Sequence, residues 1–277
     1  FSHQIAVNKI DELMDDDVTA ILGVNLWGGA CDVKKLEEYA QSQDVKVYFD
    51  SAQAFGCEIG GDKVASFGEL EVFSFHATKI LSATEGGCIC TNDDELAAKI
   101  RAIRPSYGES NEATITKVAN ARMSEAQAAI ALMSLEDYSF NRANNEKIFG
   151  LYDKELKLIN GIKLVKPAGV SHSNYQYVVC EIDKNEFGLS RDELIAILHA
   201  ENVNARQYFY PGIHRVLGQD SDEVVARLPV TESLCNSCVQ LPIGKMVDEK
   251  SVEIICNIIA ESHYNSLTLR QYFSKES

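Results

Sequence analysis

Over the first two-thirds of the chain, short apolar runs alternate with helical patterns, and this alternation restricts the fold more than any other feature. Ala20–Asn25 is a short apolar run. Asp32–Ser42 has helical spacing, with Val33, Leu36 and Tyr39 on one side. Val45–Phe49 is a β-branched and aromatic run that ends at Asp50. Glu71–Phe75 and Gly87–Thr91 read as further strands, the second preceded by a Gly86-Gly87 turn. Asp93–Arg104 reads as a helix capped by Asn92 or Asp93. Strands that alternate with helices form βαβ units and a largely parallel sheet.

The pattern then changes. From Ser124 to about Leu158 it predicts one or two long helices, with Ala126, Ala129, Ile130 and Met133 at helical spacing. The remainder mixes strand (Tyr175–Ile182), helix (Arg191–Ala200), strand (Val203–Arg206) and a final helix (Glu249–Ser262). The expected organisation is a large α/β domain with its connecting helix over 1–158, N-terminally incomplete, and a small α+β domain over 159–277. The chain of 277 residues carries 26 basic and 41 acidic side chains, a formal charge of -15. That balance argues against a nucleic-acid partner, which needs a basic footprint, and against an anionic membrane surface. A phosphorylated small ligand stays open, because a few local donors hold one. Cys235 and Cys238 form the one C-x-x-C, at what reads as a helix end. With no second pair it is a weak zinc signal, and no metal site is expected. Eight cysteines without a disulfide framework suit a reducing, cytoplasmic setting.

The chemistry concentrates between Phe49 and Thr91. Asp50 ends an apolar strand, and ligand sites in open α/β sheets gather at the carboxyl ends of strands. Taken alone, an acid there is as readily a cap or a loop ion pair. Lys79 follows Ser74 by five residues, among Phe73, Phe75, Ile80 and Leu81. Apolar surroundings lower a lysine pKa and expose the neutral, nucleophilic amine, whereas a lysine near a turn is ordinarily a solvated charge.

Taken together, these residues resemble a known family. Asp50-Ser51-Ala52-Gln53-Ala54-Phe55-Gly56, Phe73-Ser74-Phe75-His76-Ala77-Thr78-Lys79 and Glu85-Gly86-Gly87 resemble the DegT/DnrJ/StrS family of pyridoxal-phosphate (PLP) dependent nucleotide-sugar aminotransferases. Asn120-Ala121-Arg122-Met123-Ser124-Glu125 is similar to the family's N-Y-R-M-S-E, with Ala121 in place of tyrosine. Pro211-Gly212-Ile213-His214 and Leu241-Pro242 resemble its P-x-x-H and L-P. The resemblance implies the fold of aspartate-aminotransferase-type PLP enzymes, a large domain with a mostly parallel mixed sheet and a small α+β domain. It implies transfer of an amino group, from glutamate, to a keto group of a nucleotide-linked deoxy-sugar. Lys79 would be the Schiff-base lysine and Asp50 the partner of the pyridine nitrogen. Ala52 would pack on the ring, Gln53 would bond near its hydroxyl, and Ser74 would touch the phosphate. Asn120 would reach the cofactor phosphate of a neighbouring subunit, making a homodimer with shared sites. Arg206, Tyr208, Tyr210 and His214 would lie near the sugar substrate.

Three rivals frame this expectation. PLP-dependent sugar dehydratases resemble the family but carry histidine where Lys79 stands, and His76 is out of register for that role. A cysteine desulfurase on the same fold would need a reactive loop cysteine in an electropositive setting. A degenerate, non-catalytic member is kept in play by Ala121 and by the start of the chain. Relatives place a Gly/Thr-rich phosphate cup upstream of the Asp50 motif, at a helix N-terminus. Nothing from Phe1 to Phe49 supplies it, since Gly28-Gly29 matches the loop before the Asp32–Ser42 helix, and Phe1 is no initiator. The sequence therefore predicts an incomplete copy that binds PLP weakly by itself.

Overall fold

The apolar runs pair as the alternation predicts. The computed structural model describes residues 2–105, 118–217 and 227–276. Strand β1 (Ala20–Val24) is followed by helix α1 (Val33–Gln43) and strand β2 (Lys46–Asp50). A small hairpin, β3 (Glu58–Ile59) and β4 (Asp62–Lys63), precedes β5 (Leu70–Ser74) and β6 (Gly87–Cys90). The sheet order is β1-β2-β5-β6. The first three strands run parallel, and β6 closes the edge antiparallel to β5. This is the mixed, mostly parallel sheet expected. Its registers align Val24, Asp50 and Val72 across neighbouring strands, which brings the carboxyl ends of β1, β2 and β5 to one edge.

One face of the sheet is covered by α1. Val33, Leu36 and Ala40 are buried there with Ile21, Val47 and Phe49. Successive strand residues point to opposite faces, and on the other face Leu22 and Val72 remain 60% and 41% exposed. Helix α2 (Asp94–Ile103) starts at Asp93, whose carboxylate accepts from the N–H groups of Glu95 and Leu96. Helix α3 (Glu125–Glu136) opens on a capping box between Ser124 and Gln127, and α4 (Tyr138–Leu156) follows after Asp137. The helix read from the spacing of Ala126, Ala129, Ile130 and Met133 is present, but it packs no core: Ile130 and Met133 are 40% and 68% exposed, and no residue of this helix is buried. Its apolar residues lie all round the helix, so the sequence spacing singles out no inward face.

The chain clusters into two compact units. The first comprises Phe1–Arg142 with Lys166–Gln176, and the second Ala143–Val165 with Tyr177–Ser277. In the second unit β7 (Ile162–Leu164), β8 (Val178–Ile182) and β9 (Cys238–Leu241) form an antiparallel sheet. The accompanying helices are α5 (Lys184–Phe187), α6 (Arg191–Ala200), α7 (Ile213–Leu217), α8 (Pro229–Ser237), α9 (Glu249–Tyr264) and α10 (Ser266–Glu276). The run Val203–Arg206 makes one bridge, Arg206 to Gln240, rather than the strand expected. Cys235 and Cys238 are buried and unpaired at the junction of α8 and β9. Their carbonyls are each held at 2.8 Å by Nη1 of the buried Arg191. Among the described residues no cluster of histidine, cysteine and carboxylate could hold a metal. Nor, among them, is any helix long and apolar enough to cross a membrane.

Candidate active site

Asp50 is the last residue of β2, and the chain turns immediately after it. Its Oδ1 accepts the Ala52 N–H at 3.0 Å, the local side-chain turn that aspartate forms readily. Oδ2 takes no hydrogen bond from the described residues. Asp50, Ala52 and Ser74 line one pocket of about 550 Å³, walled by Leu22, Val72 and Phe73. Gln53, buried on the same turn, accepts the Trp27 N–H on Oε1 at 3.0 Å, and its Nε2 donors are unspent among the described residues. Ser74 ends β5, and its Oγ accepts the His76 N–H at 3.3 Å, so the hydroxyl proton remains to be donated.

Lys79 lies on the loop that follows β5 and is half-buried. Burial holds its amine below the usual lysine range, while the charge of Asp50 acts the other way. The apolar setting read from its neighbours therefore has the electrostatic consequence expected of it, and the amine and the Asp50 carboxylate sense one another. Glycines shape the return strand. A side chain on Gly87 would stand 2.3 Å from the Phe73 carbonyl, and Gly86 has φ +143°, a conformation that L side chains rarely adopt.

The lowered amine makes an expected pH dependence. A group with a depressed pKa is neutral over a wider alkaline range, so acylation of Lys79 by a small amine reagent should reach half-maximal rate at lower pH than a free lysine peptide. Asp50→Asn removes the charge that favours the ammonium form and should move this midpoint lower still. Competitive labelling followed by peptide mass spectrometry measures both. An Asp50→Asn midpoint that rises would contradict the arrangement.

Residues that sequence reading missed hold these loops. Asn174 donates from Nδ2 to the carbonyls of Gln53 and Phe55, both at 3.0 Å. Gln176 accepts the N–H of Ile80, the neighbour of Lys79, at 3.1 Å. Its Nε2 is buried with no partner among the described residues. Ser173 donates to the Gly28 carbonyl at 2.8 Å. These contacts span up to 145 positions, and no local pattern marks them.

The other expected residues lie apart from this set in the chain. Asn120 is exposed, in an extended stretch whose flanking amides, Ala119 and Ala121, bond to Ile103 and Arg104 at the end of α2. Arg206, Tyr208, Tyr210 and His214 belong to the second unit. There Arg206 Nη1 donates to the Tyr208 hydroxyl at 3.5 Å, and the Arg191 guanidinium sits over the Tyr210 ring at 5.4 Å. His214 Nε2 is 3.5 Å from Glu232, which also pairs with Arg215 at 2.6 Å.

The donor set in the first unit fits PLP by its chemistry: an amine that burial holds below the usual lysine range, a carboxylate oxygen left open, an unspent amide donor and a hydroxyl beside an apolar wall. The comparisons agree. The chain is 35% identical over 261 residues to the dTDP-4-amino-4,6-dideoxy-D-glucose transaminase of Shigella dysenteriae, covering 91% of this chain and 69% of that one. It is 34% identical over 207 residues to the GDP-perosamine synthase of Caulobacter vibrioides, covering 73% and 55%. The structure of DesI, determined with its TDP-sugar product, superposes with a TM-score of 0.90 at 32% identity, covering 97% of this chain and 69% of that one. The DegT/DnrJ/EryC1/StrS profile spans residues 2–260, and with it the motif positions just described, so the chain belongs to that aminotransferase family.

Proposed function

We propose that this aminotransferase moves an amino group from glutamate to a keto group of a nucleotide-linked deoxy-sugar, using PLP held between Asp50 and Lys79. The observation that carries the reading is the pocket at the strand ends lined by Asp50, Ala52 and Ser74, and it is supported by the Lys79 amine on the loop after β5, which burial holds below the usual lysine range. Bound PLP supplies an electron sink. Asp50 would hold a proton on the ring nitrogen through its open oxygen. Lys79 Nζ moves the proton between the two carbons involved, a task that requires the neutral amine. Ala52 would pack against the ring face, Gln53 Nε2 would donate toward the ring hydroxyl, and Ser74 would donate to the phosphate. Arg206, Tyr208, Tyr210 and His214 meet the sugar substrate. Lys79 stands where a sugar dehydratase carries histidine, which supports transamination over that alternative. The nucleotide-sugar names of the relatives support the acceptor class.

Ping-pong kinetics follow from one site serving two substrates. With saturating PLP, glutamate alone should release 2-oxoglutarate in an amount equal to the enzyme. A panel of nucleotide-linked keto-deoxy-sugars should then restore the starting absorbance. A folded, PLP-saturated protein that releases no 2-oxoglutarate would sink the reading.

The same reading includes a homodimer and a reducing, cytoplasmic setting. The exposed Ile130, Leu132, Met133 and Leu135 on α3 support burial against a second copy, and eight unpaired cysteines support the compartment. Asn120 would then reach the phosphate of a cofactor bound by the second copy. Mixing Lys79→Ala subunits with Asn120→Ala subunits should restore activity in a fraction of heterodimers. No recovery, with subunit exchange demonstrated, would separate Asn120 from the site.

A further inference from the structure

Side chains of a strand alternate between faces. Asp50 faces the pocket along with Val72, its partner in register. Ser51 turns to the reverse face, where Phe49 is paired with Glu71. Glu71, Ser51 and Asn25 are buried there at 0%, 0% and 1% exposure, joined by a continuous run of hydrogen bonds. Glu71 Oε1 accepts the N–H groups of Ala65 and Phe67 at 2.7 and 3.0 Å. Its Oε2 accepts the Ser51 hydroxyl at 2.5 Å. Ser51 Oγ in turn accepts from Asn25 Nδ2 at 2.9 Å, and Asn25 Oδ1 accepts the Cys31 N–H at 2.8 Å. The Asn25 N–H is donated to the Asp50 carbonyl at 2.9 Å.

No lysine or arginine pairs with Glu71 among the described residues. Burial holds its carboxyl above the usual carboxylate range, against the pull of its three donors. A carboxyl whose folded pKa is raised costs stability above that pKa and stops costing it below the unfolded value. Burial therefore works against the ionised form in the fold, and what the carboxyl contributes is the geometry it imposes. That geometry includes Ala65, held at φ +136°, and the Ser51 hydroxyl directly behind Asp50.

We propose that Glu71 is a positioning residue: it locks Ser51 from the reverse face of the sheet and so fixes the orientation in which Asp50 and Gln53 are presented to the cofactor. The catalytic part of this inference rests on the reading of Asp50 given above; the mechanical part does not. Two amides report it directly. The Ala52 N–H is held by Asp50 Oδ1, and the Trp27 N–H by Gln53 Oε1.

Amide hydrogen exchange on the full chain without PLP tests the mechanical part. In Glu71→Gln, exchange at Ala52 and Trp27 should accelerate by about tenfold or more, with β7–β9 of the second unit unchanged, as for a local opening. Acceleration confined to Ala65 and Phe67 would overturn the proposal, leaving Glu71 as a clamp on its own loop. If Glu71→Gln does not fold, Ser51→Ala decides in the same way, because it removes the link and leaves Glu71 in place. Unchanged exchange at Ala52 in that variant would overturn the proposal as well. In the PLP-saturated enzyme Glu71→Gln should lower kcat about tenfold with KM for glutamate unchanged, and an unchanged kcat counts against it. Failure of the functional reading is seen separately, as absence of 2-oxoglutarate from the unsubstituted protein.

Discussion

Lys79→Ala is expected to abolish covalent capture of PLP and to reduce transamination by about 10⁴-fold or more, while leaving the fold intact. The lysine has two duties in the proposed reaction. It binds the cofactor covalently, and its free amine moves the proton, a general-base contribution of about 10²–10⁴-fold by itself. Neither duty is structural. Lys79 is half-buried on a loop rather than part of the apolar cluster formed by Phe73, Phe75, Leu81 and Ala83. Borohydride reduction of the PLP-saturated protein should add the cofactor mass to the Lys79 peptide and to no peptide of the variant. Circular dichroism should be unchanged. Undiminished turnover in the variant would eliminate the mechanism.

Asp50→Asn should retain PLP at saturating concentration yet lose about 10²–10³-fold in kcat, the scale seen when one electrostatic stabiliser is removed. Asparagine preserves the acceptor that holds the Ala52 N–H, so the turn that shapes the site should survive. What disappears is the negative charge on the open oxygen. Without it the ring nitrogen would lose the partner proposed to hold its proton, and negative charge developing on the substrate would be drawn off less well. A variant with normal kcat would show that Asp50 only caps its own turn. The two substitutions also differ in a measurable way: the first removes covalent capture outright, whereas the second leaves Lys79 reactive.

Interactions near in sequence were legible before any coordinates. The strand ending at Asp50, the strand over Glu71–Phe75, a cap at Asn92 or Asp93 (the structure uses Asp93) and the helix Arg191–Ala200 all follow from periodicity and from side chains within a few positions of the backbone groups they satisfy. The lowered lysine amine was legible for the same reason, because its apolar neighbours adjoin it in the chain. Family membership was legible because its motifs are contiguous strings. Where competing burial decides the outcome, the sequence was not enough. The apolar residues of α3 surround the helix, so spacing could not tell that Ile130 and Met133 face outward. Val203–Arg206 has strand composition, but only Arg206 finds a bridging partner.

The long-range contacts that hold the loops of the candidate site belong to the second category. Asn174 and Gln176 reach loops roughly a hundred positions away, at Gln53, Phe55 and Ile80. Glu71 reads in the sequence as one more acid in an acidic chain. The pairing of β2 with β5 places it behind Asp50 and Ser51, in the layer occupied by Phe49. The sequence by itself singled out the groups proposed to carry the chemistry, since a motif is a local string. Tertiary structure decided the long-range contacts around those groups, because a buried polar side chain has to find its partners wherever the fold brings them.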